Sequence, residues 1–128
     1  MSGTVLSTEG VASVRDPRYA TLWELSGPQT HLALLSAAFV EVDPGSTSPL
    51  HWHAVTEEIY MIVAGTGEMY LGDDVIKITA GDCVSIPTRT VHAIGNSGVL
   101  PLRMWVVTSP PYTEGDDFEI ETDGMPPE

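Results

Sequence analysis

Residues 45–65 read GSTSPLHWHAVTEEIYMIVAG, and the fold turns on how this stretch is laid out. Side chains two apart on an extended strand point to the same side, so His51 and His53 aim into one space while Trp52 faces the other way. Imidazole is a common ligand for iron, zinc, nickel and copper. Glu58 opens the next strand, whose inward side would carry Glu58, Tyr60 and Ile62, and a carboxylate facing two histidines can complete a metal site. Strand alternation turns the neighbouring Glu57 outward. A His-x-His pair by itself is as consistent with hydrogen-bonded structural histidines as with metal ligands, so the wider pattern has to decide.

Working outward, runs of four to eight apolar or alternating residues recur between glycines and prolines, and helical periodicity is hard to find. That spacing predicts an all-β sandwich or barrel. The expected strands are Tyr19 to Leu25, Leu32 to Val42, Leu50 to His53, Glu58 to Val63, Glu68 to Leu71, Val75 to Ile78, Cys83 to Ile86, Val91 to Ile94 and Leu100 to Thr108. Phe118 to Glu121 could add a short edge strand. Gly72-Asp73-Asp74 reads as a tight hairpin. Gly65-x-Gly67 has no helix after it and is a turn, not a nucleotide loop. His92 sits two hairpins downstream of the first histidines, where a closed barrel can bring its strand beside theirs.

Two spaced patterns frame these residues. The first runs Gly45, His51, His53, Glu58, Gly65; the second runs Gly81, Pro87, His92, Asn96. Together they resemble the two motifs of the cupin superfamily, the first at every defining position and the second at all but one. The resemblance spans Gly45 to Asn96 and implies a single jelly-roll β-barrel, or double-stranded β-helix. It implies that His51, His53, Glu58 and His92 hold one divalent transition metal: iron, manganese, nickel, cobalt, zinc or copper. It also implies a homodimer. The departure is Arg89, where the family usually has a glycine that tolerates positive φ. Arg89 is either an exposed turn residue, the preferred reading, or an arginine that grips a carboxylate at the barrel mouth. Tyr60 shares the metal's face and is a candidate catalytic acid, although a barrel-wall aromatic is the simpler role.

Four protein ligands leave about two positions of an octahedral metal for water, dioxygen or a chelating substrate. Cupins of this kind include dioxygenases, decarboxylases, isomerases, cyclases and lyases. The expected function is therefore a metal-dependent enzyme acting on a small oxygenated metabolite, as an oxygenase or as a Lewis-acid isomerase, lyase or decarboxylase. The alternative is a barrel that binds a small ligand without turning it over. Leu, Ile and Val side chains with Phe39, Met61, Met104 and Trp105 are the candidates for an apolar interior.

Composition sets the outer limits. The chain has 128 residues, one domain's worth, and is large enough to form a core without disulfides. Cys83 is its one cysteine, so it has no intrachain disulfide, and it is expected to pack as a small hydrophobe. Eighteen acids against five bases argue against nucleic acid and anionic membranes as partners. The first residues lack a basic start and an apolar run, and a cytoplasmic protein is expected. Seven of the acids lie between Glu114 and Glu128. The chain thus divides into a barrel over 1–113 and an acidic tail over 114–128, expected to be solvated and dispensable for metal binding.

Overall fold

The computed structural model describes residues 3–128 as two antiparallel sheets facing one another. The strands are β1 (Val14–Asp16), β2 (Ala20–Ser26), β3 (Ser36–Val42), β4 (Ser46–Thr47), β5 (His51–Trp52), β6 (Glu57–Ala64), β7 (Thr66–Leu71), β8 (Asp74–Thr79), β9 (Cys83–Ile86), β10 (His92–Asn96), β11 (Leu102–Ser109) and β12 (Phe118–Glu119). One sheet runs β1-β2-β3-β11-β6-β9 and the other β12-β5-β10-β7-β8, with β4 also paired to β10. This is the expected all-β jelly roll.

Alternation in the sequence decides what each strand buries. Along β6, Glu58, Tyr60 and Ile62 face inward and are buried, while Glu57, Met61 and Val63 face out and are exposed. The core between the sheets is built from Val40, Val42, Ile62, Met69, Ile94, Leu102 and Met104. Of the four larger interior candidates only Met104 is inside. Phe39, Met61 and Trp105 lie one residue out of phase with the buried positions of their strands. They form a row across the outer face with Trp23 and Cys83, through the pairings Trp23↔Phe39, Phe39↔Trp105, Trp105↔Met61 and Met61↔Cys83. Cys83 is accordingly exposed on the edge strand and not packed inside.

Two stretches differ from the sequence expectation. The long strand foreseen from Leu32 begins only at Ser36. A 3₁₀ turn over Pro28–Thr30, closed by His31 at φ 71°, breaks the extended run, and Leu32 and Leu34 are left exposed. The acidic tail is also more than a solvated end. Its β12 pairs antiparallel with β5, setting Phe118 against Trp52 and Glu119 against His51. A single helical turn, Ile120–Asp123, follows. Phe118 stacks on Trp52 with ring centroids 4.5 Å apart, and the Trp52 indole N–H donates to the Gly124 carbonyl at 2.9 Å. Trp52 and Phe118 have an apolar face to cover, and covering it holds the tail to the barrel.

Candidate metal centre

His51 lies on β5, directly opposite His92 on β10, and their rings are 4.1 Å apart between centroids. His53 follows one residue beyond β5 on the same side as His51, with Trp52 turned away as alternation requires. Glu58 comes from the other sheet, at the start of β6. One ligand atom from each of these four residues lies within 4.8 Å of the others, so the group has the donors and the spacing to hold a metal ion. Glu58 is 6% exposed whereas Glu57 is open to solvent, so burial singles out Glu58.

The imidazoles are oriented by the backbone. Each Nδ1 meets a main-chain carbonyl: His51 that of Pro49 at 2.8 Å, His92 that of Thr90 at 2.8 Å, and His53 that of Asp116 at 2.6 Å. A carbonyl only accepts, so each Nδ1 carries a proton and each Nε2 is the nitrogen turned toward the cluster, where a proton or a metal can sit. That is how metal-bound histidines are commonly held.

What the Nε2 atoms face tests whether a cation fits. His53 Nε2 and His92 Nε2 stand 2.9 and 3.0 Å from Glu58 Oε1, yet all three atoms are buried without a hydrogen-bond partner. Lone pairs pointed at one another repel unless something positive lies among them. Either a proton or a metal satisfies them, and this donor set of imidazoles and a carboxylate suits a divalent transition metal.

The electrostatics agree. Burial works against charge on both His53 and Glu58, but their mutual attraction outweighs it, raising the His53 pKa and lowering that of Glu58. Burial and the neighbouring His92 lower the His51 pKa. Without a metal, His53 therefore carries a second proton, on Nε2, at neutral pH, and a metal must displace it. Zinc binding at pH 7 is expected to release about one proton, and affinity to fall about tenfold per pH unit below neutrality. Titration calorimetry in two buffers of different ionisation enthalpy reads this directly. Identical heats in both, with a flat pH profile, would contradict it.

His51, His53 and Glu58 of the cluster line a cavity of about 550 Å³, with His92 buried behind them. Leu22, Ala38, Val40, Met104 and Val106 give it an apolar wall. Tyr60 lines it too, buried with its ring 6.0 Å from that of His92, and burial first and Glu58 second raise its pKa well above the ordinary value. Arg89 is exposed and outside the lining; its φ is 65°, and its N–H donates to the His53 carbonyl at 2.7 Å. The turn thus does call for positive φ, and an arginine adopts it.

The arginines that line the cavity are Arg15 and Arg18, which pair with Asp43 and with Asp16 and Glu119. Tyr112 and Asp117 line it as well, joined by a phenol-to-carboxylate hydrogen bond of 2.9 Å. Nothing in the sequence marks these four: they lie on β1, in the turn after it, just past the Pro110-Pro111 stop and in the segment read as solvated. The fold alone brings them to the metal group.

A barrel of two antiparallel sheets with three imidazoles and a carboxylate gathered beside its cavity defines a double-stranded β-helix protein with a candidate metal centre. The chain belongs to the cupin family, whose cupin-domain model matches residues 38–108. An uncharacterised protein of Methanocaldococcus jannaschii is 40% identical over 87 residues, covering 68% of each chain. The xanthan biosynthesis protein XanB of Xanthomonas campestris is 36% identical over 62% of this chain, a match that takes in 17% of that protein. Among solved structures, a predicted oxalate decarboxylase of Thermotoga maritima superposes with a TM-score of 0.75 at 25% identity, over 83% of this chain and 98% of that one. Among the described residues, no helix is long and apolar enough to cross a membrane.

Proposed function

We propose that this chain is a metal-dependent cupin enzyme that binds one divalent transition metal through His51, His53, Glu58 and His92 and acts on a small oxygenated metabolite. The observation that carries the reading is the set of buried, partnerless Nε2 and Oε1 atoms converging beside a cavity of small-molecule size. When bound, the metal supplies Lewis-acid polarisation of a substrate oxygen, or activation of dioxygen. The apolar wall excludes water and holds the carbon skeleton. Asp117 and Tyr112 favour the Lewis-acid branch, because isomerisation, lyase chemistry and decarboxylation move protons and need an acceptor and a donor beside the substrate. The Asp117 carboxylate is the acceptor. Tyr112, whose pKa is raised by burial and then by Asp117, keeps its phenolic O–H, hydrogen-bonded to that carboxylate, and is the donor. The likeness to a predicted oxalate decarboxylase is consistent with a carboxylate-bearing substrate. The exposed Cys83 thiol suits a reducing, cytoplasmic setting.

Titrating the iron- or copper-loaded protein with oxalate, a catechol and a 1,3-diketone tests this. A spectral change without oxygen consumption, followed by isomerised, cleaved or decarboxylated product, is the expected result. Oxygen uptake would move the assignment to an oxygenase. No perturbation by any chelator would mean that the site is closed to ligands.

The outer row of Trp23, Phe39, Trp105 and Met61 supports a homodimer. With a net charge of −13, two copies can meet only where acids are sparse, and this face carries an apolar belt whose Glu41 is neutralised by Arg103 at 3.1 Å. Sedimentation velocity is expected to give a dimer and Trp105→Glu a monomer. A monomeric wild type at tens of micromolar, a range where a standard interface of ~800 Å² per partner often holds, would refute the pairing.

A further inference from the structure

We propose that Asp116 is a positioning residue for the metal centre, fixing His53 and the loop after it from the far end of the chain. The proposal rests on the metal assignment above. Asp116 engages four consecutive residues. Its backbone carbonyl accepts from His53 Nδ1 at 2.6 Å. Its carboxylate accepts from the Ala54 N–H at 2.8 Å, from that of Val55 at 3.2 Å to each oxygen, and from that of Thr56 at 2.9 Å. The side chain is buried, with 8% of the residue exposed. An anion here satisfies three backbone donors that would otherwise be stranded in a turn with no ladder to join.

The contrast among the three histidines gives this contact its meaning. His51 and His92 donate to carbonyls two residues away, Pro49 and Thr90, so their orientation comes with their own strands. His53 lies beyond the end of β5 and takes its carbonyl from 63 residues downstream. Nothing local fixes its ring. The same loop leads through Thr56 into Glu58, so the grip of Asp116 on residues 54–56 also sets the separation between the His53 and Glu58 ligand atoms. β12 and the stacking of Phe118 on Trp52 hold the segment in place, and Asp116 converts that docking into a ligand orientation. The acidic segment is thereby part of the centre.

The test uses the full chain and zinc. Affinity is measured by competition with a chromophoric chelator, and imidazole tautomers by ¹⁵N–¹H correlation of the zinc-loaded protein. Wild type is expected to show His53 protonated at Nδ1 and metal-bound at Nε2. Asp116→Ala keeps the main-chain carbonyl that faces His53 but releases the N–H groups of residues 54–56, so the His53 loop loses its anchor and zinc is expected to bind about tenfold more weakly. Asp116→Asn is expected to lose less, since its carbonyl oxygen still accepts from Ala54 and Val55. Glu121→Gln, exposed on the same segment, is expected to bind as wild type. Wild-type affinity in Asp116→Ala, or a His53 that is not protonated at Nδ1, overturns the proposal. If Asp116→Ala does not fold, the wild-type tautomer and Asp116→Asn decide. Absence of zinc uptake by wild type overturns the metal assignment together with this proposal, whereas unchanged affinity in Asp116→Ala overturns the positioning role alone.

Discussion

Replacing His53 by alanine is expected to cost the chain its metal. Structural zinc sites of four ligands are worth ~10–16 kcal/mol at neutral pH, so one ligand accounts for roughly 3 kcal/mol, or at least a hundredfold in affinity. The variant also strips Glu58 Oε1 of one of the two nitrogens that face it at about 3 Å and leaves a buried carboxylate short of positive charge. Metal per protomer by elemental analysis after dialysis should drop from about one to near zero. The control is His31→Asn: His31 is exposed, belongs to neither motif and sits at φ 71°, a conformation asparagine accepts. Unchanged stoichiometry and affinity in His53→Ala would end the ligand assignment.

Gly67→Ala is expected to unfold the barrel more readily than any surface change. Gly67 is buried on β7, and a methyl there would press on the Gly95 carbonyl oxygen and meet Leu102 Cδ2 at 2.8 Å. The oxygen belongs to backbone and cannot swing aside, so β7 must move away from β10, the strand that carries His92. Overpacking of this kind costs about 3 kcal/mol. Urea titration should show the midpoint falling accordingly. Gly115→Ala, where nothing lies within 4 Å, should leave it in place. An unshifted midpoint for Gly67→Ala would mean that the two strands are not packed as tightly as the geometry requires.

Both glycines of the Gly65-x-Gly67 pair stand out in the sequence as a turn, but they serve different ends. Gly65 has φ 90° and makes the turn; Gly67 is small because another strand's carbonyl lies over it. Local pattern reveals the first role and not the second. The same division runs through the molecule. Period-two alternation located most strands to within two residues and separated Glu58 from Glu57, because the face a side chain takes is a local property. It does not tell which face of a strand meets the core when both are apolar, as in β3 and β11, and so leaves the facing of Phe39 and Trp105 open. The His51, His53, Glu58 and His92 group was legible because it falls on the positions of the two cupin motifs it resembles, and the fold does bring the four together. Asp116 and Asp117 were not, since an acidic stretch reads as solvated until something shows what it lies against. Here the reason is Trp52, whose outward ring needs a cover.

Drift of specificity is the consequence of how this cavity is built. The candidate metal ligands stand on β5, β6 and β10 or beside them, and two of the three imidazoles are braced by main-chain carbonyls close to them in sequence, which no side-chain replacement can delete. The wall that meets a ligand's carbon skeleton comes mainly from β2, β3 and β11, through Leu22, Ala38, Val40, Met104 and Val106. Inheritance can therefore rewrite one without disturbing the other. A lineage carrying this barrel can exchange bulk for room at Ala38 or Val106 and admit a different molecule, while the His and Glu group passes down intact.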